Sequence, residues 1–181
     1  MYYSVIKDCD IANGEGVRIT LFVSGCTNRC EHCFQPETWN FEYGREFTED
    51  TVAQLLKMLS PAYIRGLTLL GGEPMEPKNQ PTLLNLVKTV RSTLPNKDIW
   101  CFTGFTYEQL KEEGSYPRCD ATDEFLENLD VLVDGRFVNE LKNLTLRFRG
   151  SSNQRLIDMK KTLQEGHVVL LPDMDRKLRL E

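Results

Sequence analysis

Residues 17–33 read VRITLFVSGCTNRCEHC, an apolar, β-branched run that leads straight into three closely spaced cysteines. The run at 17–24 suits a strand buried on both faces of a parallel sheet, with the cysteines on the loop that follows. Outward from there, Thr48 is placed to cap a helix whose apolar residues Val52, Leu55, Leu56 and Leu59 recur at helical spacing until Pro61 stops them. Residues 67–70 form a second buried strand, broken by Gly71-Gly72-Glu73-Pro74, which can turn sharply and bring backbone close to a ligand. A helix from near Pro81 carries Leu83, Leu84, Leu86, Val87 and Val90. A third strand spans 99–102 and ends at Thr103-Gly104; a short helix at 107–111 and a fourth strand at 131–133, ended by Asp134-Gly135, complete the pattern.

Strands alternating with helices at this spacing predict an α/β fold of repeated βα units on a mostly parallel sheet. Ligands bind such sheets at the carboxyl ends of the strands, so the cysteine loop, the Gly-Gly-Glu-Pro turn, Thr103-Gly104 and Asp134-Gly135 are expected at one edge. A closed barrel of eight such units takes roughly 200–250 residues or more. The 181 residues here therefore predict an open partial barrel, one domain over 1–181 with its core at about 17–137. In the C-terminal segment 138–181, residues 141–148 and 154–159 alternate in ways that fit either short strands or irregular chain.

Hydrophobic residues make up 40% of the chain, enough for a real core. Lys and Arg number 22 against 27 Asp and Glu, a net charge of -5 that argues against holding nucleic acid or an anionic membrane by bulk electrostatics. The N-terminal residues MYYSVIKDCD have no basic leader, and no run reaches membrane-spanning length. Six cysteines, three of them within eight residues, are no secreted disulfide framework, and a cytoplasmic location with reduced thiols is expected.

Cys26, Cys30 and Cys33 have the spacing C-x3-C-x2-C, which lets three thiolates on one loop converge on an inorganic centre. Zinc wants a fourth ligand. His32 is adjacent to Cys33 and tends to point elsewhere, and Cys9, Cys101 and Cys119 lie singly. Three cysteines on a 4Fe-4S cluster leave one iron open, which is useful only if a substrate binds there; pure electron transfer favours four. A zinc site with a distant fourth ligand and a trio of buried thiols are the alternatives.

The loop from Cys26 to Cys33 resembles the cluster loop of the radical S-adenosylmethionine (radical SAM) enzymes, and Gly71-Gly72-Glu73-Pro74 resembles their second motif. The resemblance implies that the amino and carboxylate groups of SAM chelate the open iron while the Gly71, Gly72 and Glu73 turn receives the amino group. It places His32 and Phe34 against the adenine, and Asp134 and Arg136 beside SAM or a cation. Glu73 is expected to anchor the turn or help hold the amino group; read alone, Glu73 is a solvated turn carboxylate, His32 a loop histidine and Phe34 a core aromatic. No catalytic side chain is expected beyond the cluster and SAM.

Residues 13–18 (NGEGVR) resemble the segment before the cysteine loop of glycyl-radical activating enzymes, with Glu15 where those often carry proline. Residues 26–39 (CTNRCEHCFQPETW), 131–137 (VLVDGRF) and 148–158 (FRGSSNQRLID) are similar to the activating enzymes of anaerobic ribonucleotide reductases. That resemblance implies an electron passed from a reduced cluster to SAM, cleavage to methionine and a 5'-deoxyadenosyl radical, and hydrogen abstraction from a glycine. The implied partners are the anaerobic ribonucleoside-triphosphate reductase and an electron donor such as reduced flavodoxin. Action on another glycyl-radical enzyme or a small molecule, and a non-enzymatic iron-sulfur or zinc module, are the competing readings. Arg147, Arg149 and Arg155 read as solvated, Cys9, Cys101 and Cys119 as bystanders, and His167 as a structural or surface residue.

Overall fold

The computed structural model describes residues 1–172. In chain order the strands and helices are β1 (Tyr2–Asp10), β2 (Val17–Val23), β3 (Arg45–Glu46), α1 (Glu49–Leu59), β4 (Ile64–Gly71), α2 (Gln80–Thr93), β5 (Asp98–Phe102), α3 (Tyr107–Lys111), α4 (Thr122–Glu127), β6 (Val131–Asp134), β7 (Arg155–Asp158) and α5 (Met159–Glu165). Single 3-10 turns lie at Pro36–Trp39 and Asn139–Leu141.

One seven-stranded sheet runs in the order β3-β1-β2-β4-β5-β6-β7. Its centre, β2-β4-β5-β6, is parallel, as the βα pattern predicts. Antiparallel strands flank it on both sides, β1 and β3 on one and β7 on the other. The sheet is open, with β3 at one end and β7 at the other; the returning chain bonds to β7 through Asp158 N–H to Val169 O and Leu171 N–H to Leu156 O.

Local chemistry accounts for the helix ends. Thr48 caps α1 in a reciprocal box with Thr51, the Thr48 N–H donating to Thr51 Oγ1 at 3.2 Å, and α2 takes Pro81 in its first turn, where a missing N–H costs nothing. α5 ends on Gly166 at φ 70, whose N–H donates to Thr162 O.

Alternation along the central strands gives two faces. Ile19, Leu21, Val23, Leu67, Leu69, Ile99, Cys101 and Leu132 point into the main core, where Leu55, Leu59, Leu83, Val87, Val90 and Phe125 of the helices meet them. Cys101 is fully buried there, as the apolar strand predicts. The other face carries Arg18, Thr68, Leu70, Trp100, Phe102, Val131 and Val133. Arg18 is wholly buried, its Nη1 2.6 Å from Asp98 Oδ1, its Nε donating to Thr68 Oγ1 at 2.7 Å and its guanidinium carbon 5.2 Å from the Trp100 ring centre. Phe148 meets Trp100 edge-on at 5.3 Å, so the segment after β6 folds back over this second face. Residues 141–148 continue the 3-10 turn Asn139–Leu141 as irregular chain, with one bridge from Lys142 to Ser151, and 155–158 form the strand β7. Residues 173–181 of the C-terminal segment lie outside the described residues. Among the described residues, no helix is long and apolar enough to cross a membrane.

Candidate metal centre

Parallel pairing of β2 and β4 sets Val23 opposite Gly71, so the cysteine loop and the glycine turn leave the sheet side by side. Backbone bonds sew them together: Gly72 N–H to Val23 O at 2.8 Å, Glu73 N–H to Gly25 O at 2.8 Å and Gly25 N–H to Thr38 O at 2.7 Å. A Cβ on Gly72 would stand 2.7 Å from Gly25 O and 3.1 Å from both Thr38 O and Val23 O. The turn needs glycine because backbone packs directly against backbone.

These elements open onto a cavity of about 630 Å³. Cys26, Cys30, Cys33, His32 and Phe34 line it from the cysteine loop, Gly71, Gly72 and Glu73 from the turn, Thr103 and Gly104 from the end of β5, and Gly135 from the end of β6. The predicted convergence at the strand ends is thus observed. Leu70 and Phe102 line the sheet side of the cavity, and Phe137, Lys142, Leu144, Phe148 and Arg149 bring the C-terminal segment onto its wall.

The cysteine loop turns sharply twice. Arg29 and His32, each just before a cysteine, adopt left-handed backbone at φ 46 and 59, and Cys33 N–H donates to Cys30 O. Cys26 is nearly buried. Burial first, and then the nearby Glu73 charge, push its thiol up to about 12, against the backbone N–H groups of Asn28 and Arg29 that donate to its sulfur.

Among the described residues, no three His, Cys, Asp or Glu side chains close on one point as a single ion requires. A cubane asks for something else, because each cysteine binds a different iron and the three sulfurs need only face a common space. Three thiols on one cavity wall fit that demand. They do not make a four-ligand zinc cage.

Glu73 departs from the solvated-turn expectation: it is 1% exposed and its carboxylate is fully engaged. Oε1 accepts from Met75 N–H at 2.8 Å, and Oε2 accepts from Gly104 N–H at 2.7 Å and Asn28 Nδ2 at 2.8 Å. Burial pushes its pKa up to about 7, with the bonds from Gly104, Thr103 and Met75 opposing. It is an anchor between the glycine turn, the cysteine loop and the end of β5.

His32 and Phe34 are exposed on the cavity wall, Phe34 at 75%, so it is no core aromatic. His32 Nε2 lies 3.5 Å from Glu31 Oε1. Asp134 and Arg136 stand beside the cavity, not on its wall. Asp134 is buried and accepts from Arg155 Nε at 2.9 Å and Tyr107 N–H at 2.8 Å, while Arg136 donates to Asn28 O and, at 3.4 Å, to Arg29 O. Arg136 thereby braces the cysteine loop from outside.

Several contributors escaped the sequence reading. Asn28 joins Gly104, whose place at this edge the sequence predicts, over Glu73. Asn153 Nδ2 bonds Arg136 O at 2.8 Å and Gln154 Nε2 bonds Gly135 O at 3.0 Å, so residues 148–158 hold the turn after β6. Arg155, expected to be solvated, pairs with Asp134 and Glu108, and Arg147 stacks at 4.8 Å over Phe148. Cys9 and His167 are exposed away from the cavity, and Cys119 is half-buried with Sγ 3.4 Å from Gln80 Oε1.

The 4Fe-4S single cluster domain family matches residues 12–157. Anaerobic ribonucleoside-triphosphate reductase-activating proteins are similar over most of the chain. That of Enterobacteria phage T4 is 43% identical over 156 residues, covering 86% of this chain and 93% of its own. Those of Pasteurella multocida and Escherichia coli K12 are 42% and 41% identical, each covering 85% of this chain and 95% and 96% of their own.

Proposed function

The chain belongs to the 4Fe-4S single cluster domain family, among the anaerobic ribonucleoside-triphosphate reductase-activating proteins, and from that premise we propose that it activates such a reductase by generating a glycyl radical on it. We read it as a radical SAM enzyme, its open sheet as a partial (β/α) barrel in a single domain, and its compartment as the cytoplasm, where thiols stay reduced. The carrying observation is that the cysteine loop and the glycine turn share one cavity wall.

Cys26, Cys30 and Cys33 would each hold one iron of a 4Fe-4S cluster and leave the fourth for SAM. Carbonyl oxygens of the Gly71-Gly72-Glu73 turn would accept from the SAM amino group, the glycines letting the turn lie directly against the cysteine loop. His32 and Phe34 offer ring faces for adenine at the open side. Asp134 and Arg136 act at one remove, Asp134 through Arg155 and Tyr107 and Arg136 by bracing the carbonyls of the cysteine loop. Held by Cys26, Cys30 and Cys33 and reduced by a donor such as flavodoxin, the cluster would supply the electron for reductive cleavage of SAM, the chemistry that would remove a Cα hydrogen from one glycine of the reductase. Phe102, Phe148 and Leu144 also line the cavity, giving apolar contacts along which a glycine-bearing loop would reach the site.

The test is electron paramagnetic resonance on anaerobically reconstituted, reduced protein, without SAM, with SAM, and with SAM plus the anaerobic reductase. A cluster signal that changes on adding SAM, followed by a glycyl doublet on the reductase, is expected. Cys26→Ala, Cys30→Ala and Cys33→Ala should each lose the intact cluster. A cluster indifferent to SAM, or SAM cleavage with no protein radical, would overturn the proposal.

A further inference from the structure

Three residues past the glycine turn's anchor lies a second buried acid. Glu76 is 0% exposed. None of the ion pairs among the described residues includes it; hydrogen bonds satisfy it instead. Its Oε1 accepts from Thr27 N–H at 2.7 Å and from Thr27 Oγ1 at 2.6 Å, and its Oε2 accepts from Tyr116 O–H at 2.7 Å. A carboxylate that takes both donors of one residue fixes that residue's backbone and side chain together.

Thr27 is the first residue of the spacer between Cys26 and Cys30. The next two are Asn28 and Arg29, whose carbonyls Arg136 holds from outside and whose amides adjoin Cys26. Holding Thr27 therefore fixes the start of the stretch whose amides face that sulfur. Hydrogen bonds to a ligand sulfur stabilise the more negative, reduced state of an iron-sulfur centre and raise its potential. Glu76 itself hangs from the chain just after the glycine turn, with its N–H donating to Glu73 O and its carbonyl accepting from Asn79 and Gln80. It thus ties the frame of the glycine turn to the frame of the cysteine loop.

We propose that Glu76, backed by Tyr116, is a positioning residue that holds Thr27, and with it the Asn28 and Arg29 amides beside Cys26, and so sets the reduction potential of the centre that loop carries. The inference rests on the proposed function only in taking the cysteine loop as the cluster loop.

Reach and charge are separated by two substitutions. Glu76→Asp keeps the charge and withdraws the carboxylate from Thr27; Glu76→Gln keeps the reach and removes the charge. Full-chain protein is reconstituted anaerobically, and iron and sulfide content, EPR line shape, the midpoint potential by redox titration, and melting temperature are read. Glu76→Asp is expected to shift the midpoint to lower potential and change the line shape at wild-type iron content. Glu76→Gln is expected to keep the line shape while its midpoint moves upward from loss of the negative charge. A purely structural role lowers the melting temperature and leaves midpoint and line shape alone, so a wild-type midpoint and line shape in Glu76→Asp overturns the inference. If Glu76→Asp does not fold, Thr27→Ala, which removes one of the two donors, carries the same reading: a lower midpoint supports it and an unchanged one refutes it. Wild-type protein that assembles no cluster refutes the proposed function, and this inference falls with it.

Discussion

Adding one methyl group at Gly72 separates backbone crowding from backbone strain. Gly72 is not in the left-handed region, so alanine meets no conformational penalty there, but its Cβ would stand 2.7 Å from Gly25 O and 3.1 Å from Thr38 O and Val23 O. The closest approach is about 0.7 Å inside ordinary contact, and all three neighbours are backbone that cannot swing aside. Overpacking of this kind costs about 1–3 kcal/mol, and narrowing of the unfolded ensemble returns about 0.4–1 kcal/mol. The net loss is on the order of 1–2 kcal/mol, or roughly 2–8 °C of melting temperature for a chain this long. Relief has to come from moving the root of the cysteine loop away from the glycine turn, the spacing on which the proposed SAM site depends. Gly114→Ala is the control. Gly114 sits at φ +79 with nothing within 4 Å, so alanine there costs about 1–2 kcal/mol of strain and leaves the cavity untouched. Urea melts of the metal-free chains and SAM titrations of the reconstituted chains, followed by EPR, distinguish them. Both should be destabilised, but only Gly72→Ala should weaken SAM binding, by about tenfold, equivalent to about 1.4 kcal/mol. Wild-type stability and SAM response in Gly72→Ala would refute the close-approach argument.

Two further outcomes follow from buried charges. Asp98→Ala leaves Arg18 buried without its carboxylate and should cost about 3–5 kcal/mol, whereas Arg18→Met, which removes the charge itself, should cost less; denaturant midpoints in the reverse order would contradict this. Glu73 rises from its ordinary 4.5 to about 7, so between those values the folded chain holds a proton that the unfolded chain has released. Its contribution to the stability of the metal-free chain therefore falls as pH rises from about 4.5 to about 7 and is flat above. Glu73→Gln should remove that slope; a slope identical to wild type would show that another group sets it.

The central architecture was legible because its signals are local. β2, β4, β5 and β6 are short apolar runs ended by polar turns, and Thr48, Pro61 and Pro81 mark helix boundaries by their own stereochemistry. β1 was hidden because most of its residues are partly or fully exposed, so YYSVIKDCD shows no buried run, and α4 because TDEFLE is too short for a helical period. The cysteines and glycines of the site could be read from residue type and spacing. Glu73 could be read as an anchor of its turn only beside the motif, and Glu76 not at all. Both look like solvated charges in a turn, and partners brought in from elsewhere in the chain, Asn28 and Gly104 for one and Thr27 and Tyr116 for the other, make them buried anchors. Asp134 shows the reverse: its place at a strand end suggested a ligand contact, but Arg155, contributed by a strand unresolved in the sequence pattern, occupies its carboxylate.

The clamps on the cysteine loop also impose an order in time. Asn28 is bonded to Glu73 across 45 residues, Thr27 to Glu76 across 49 and Asn28 to Arg136 across 108. Contacts between residues so far apart can close only after the intervening chain has been made and has collapsed. As the protein is synthesised, Cys26, Cys30 and Cys33 emerge well before the residues that hold their loop in shape. The loop proposed to carry the cluster thus waits, thiols bare, for the segments that will enclose it.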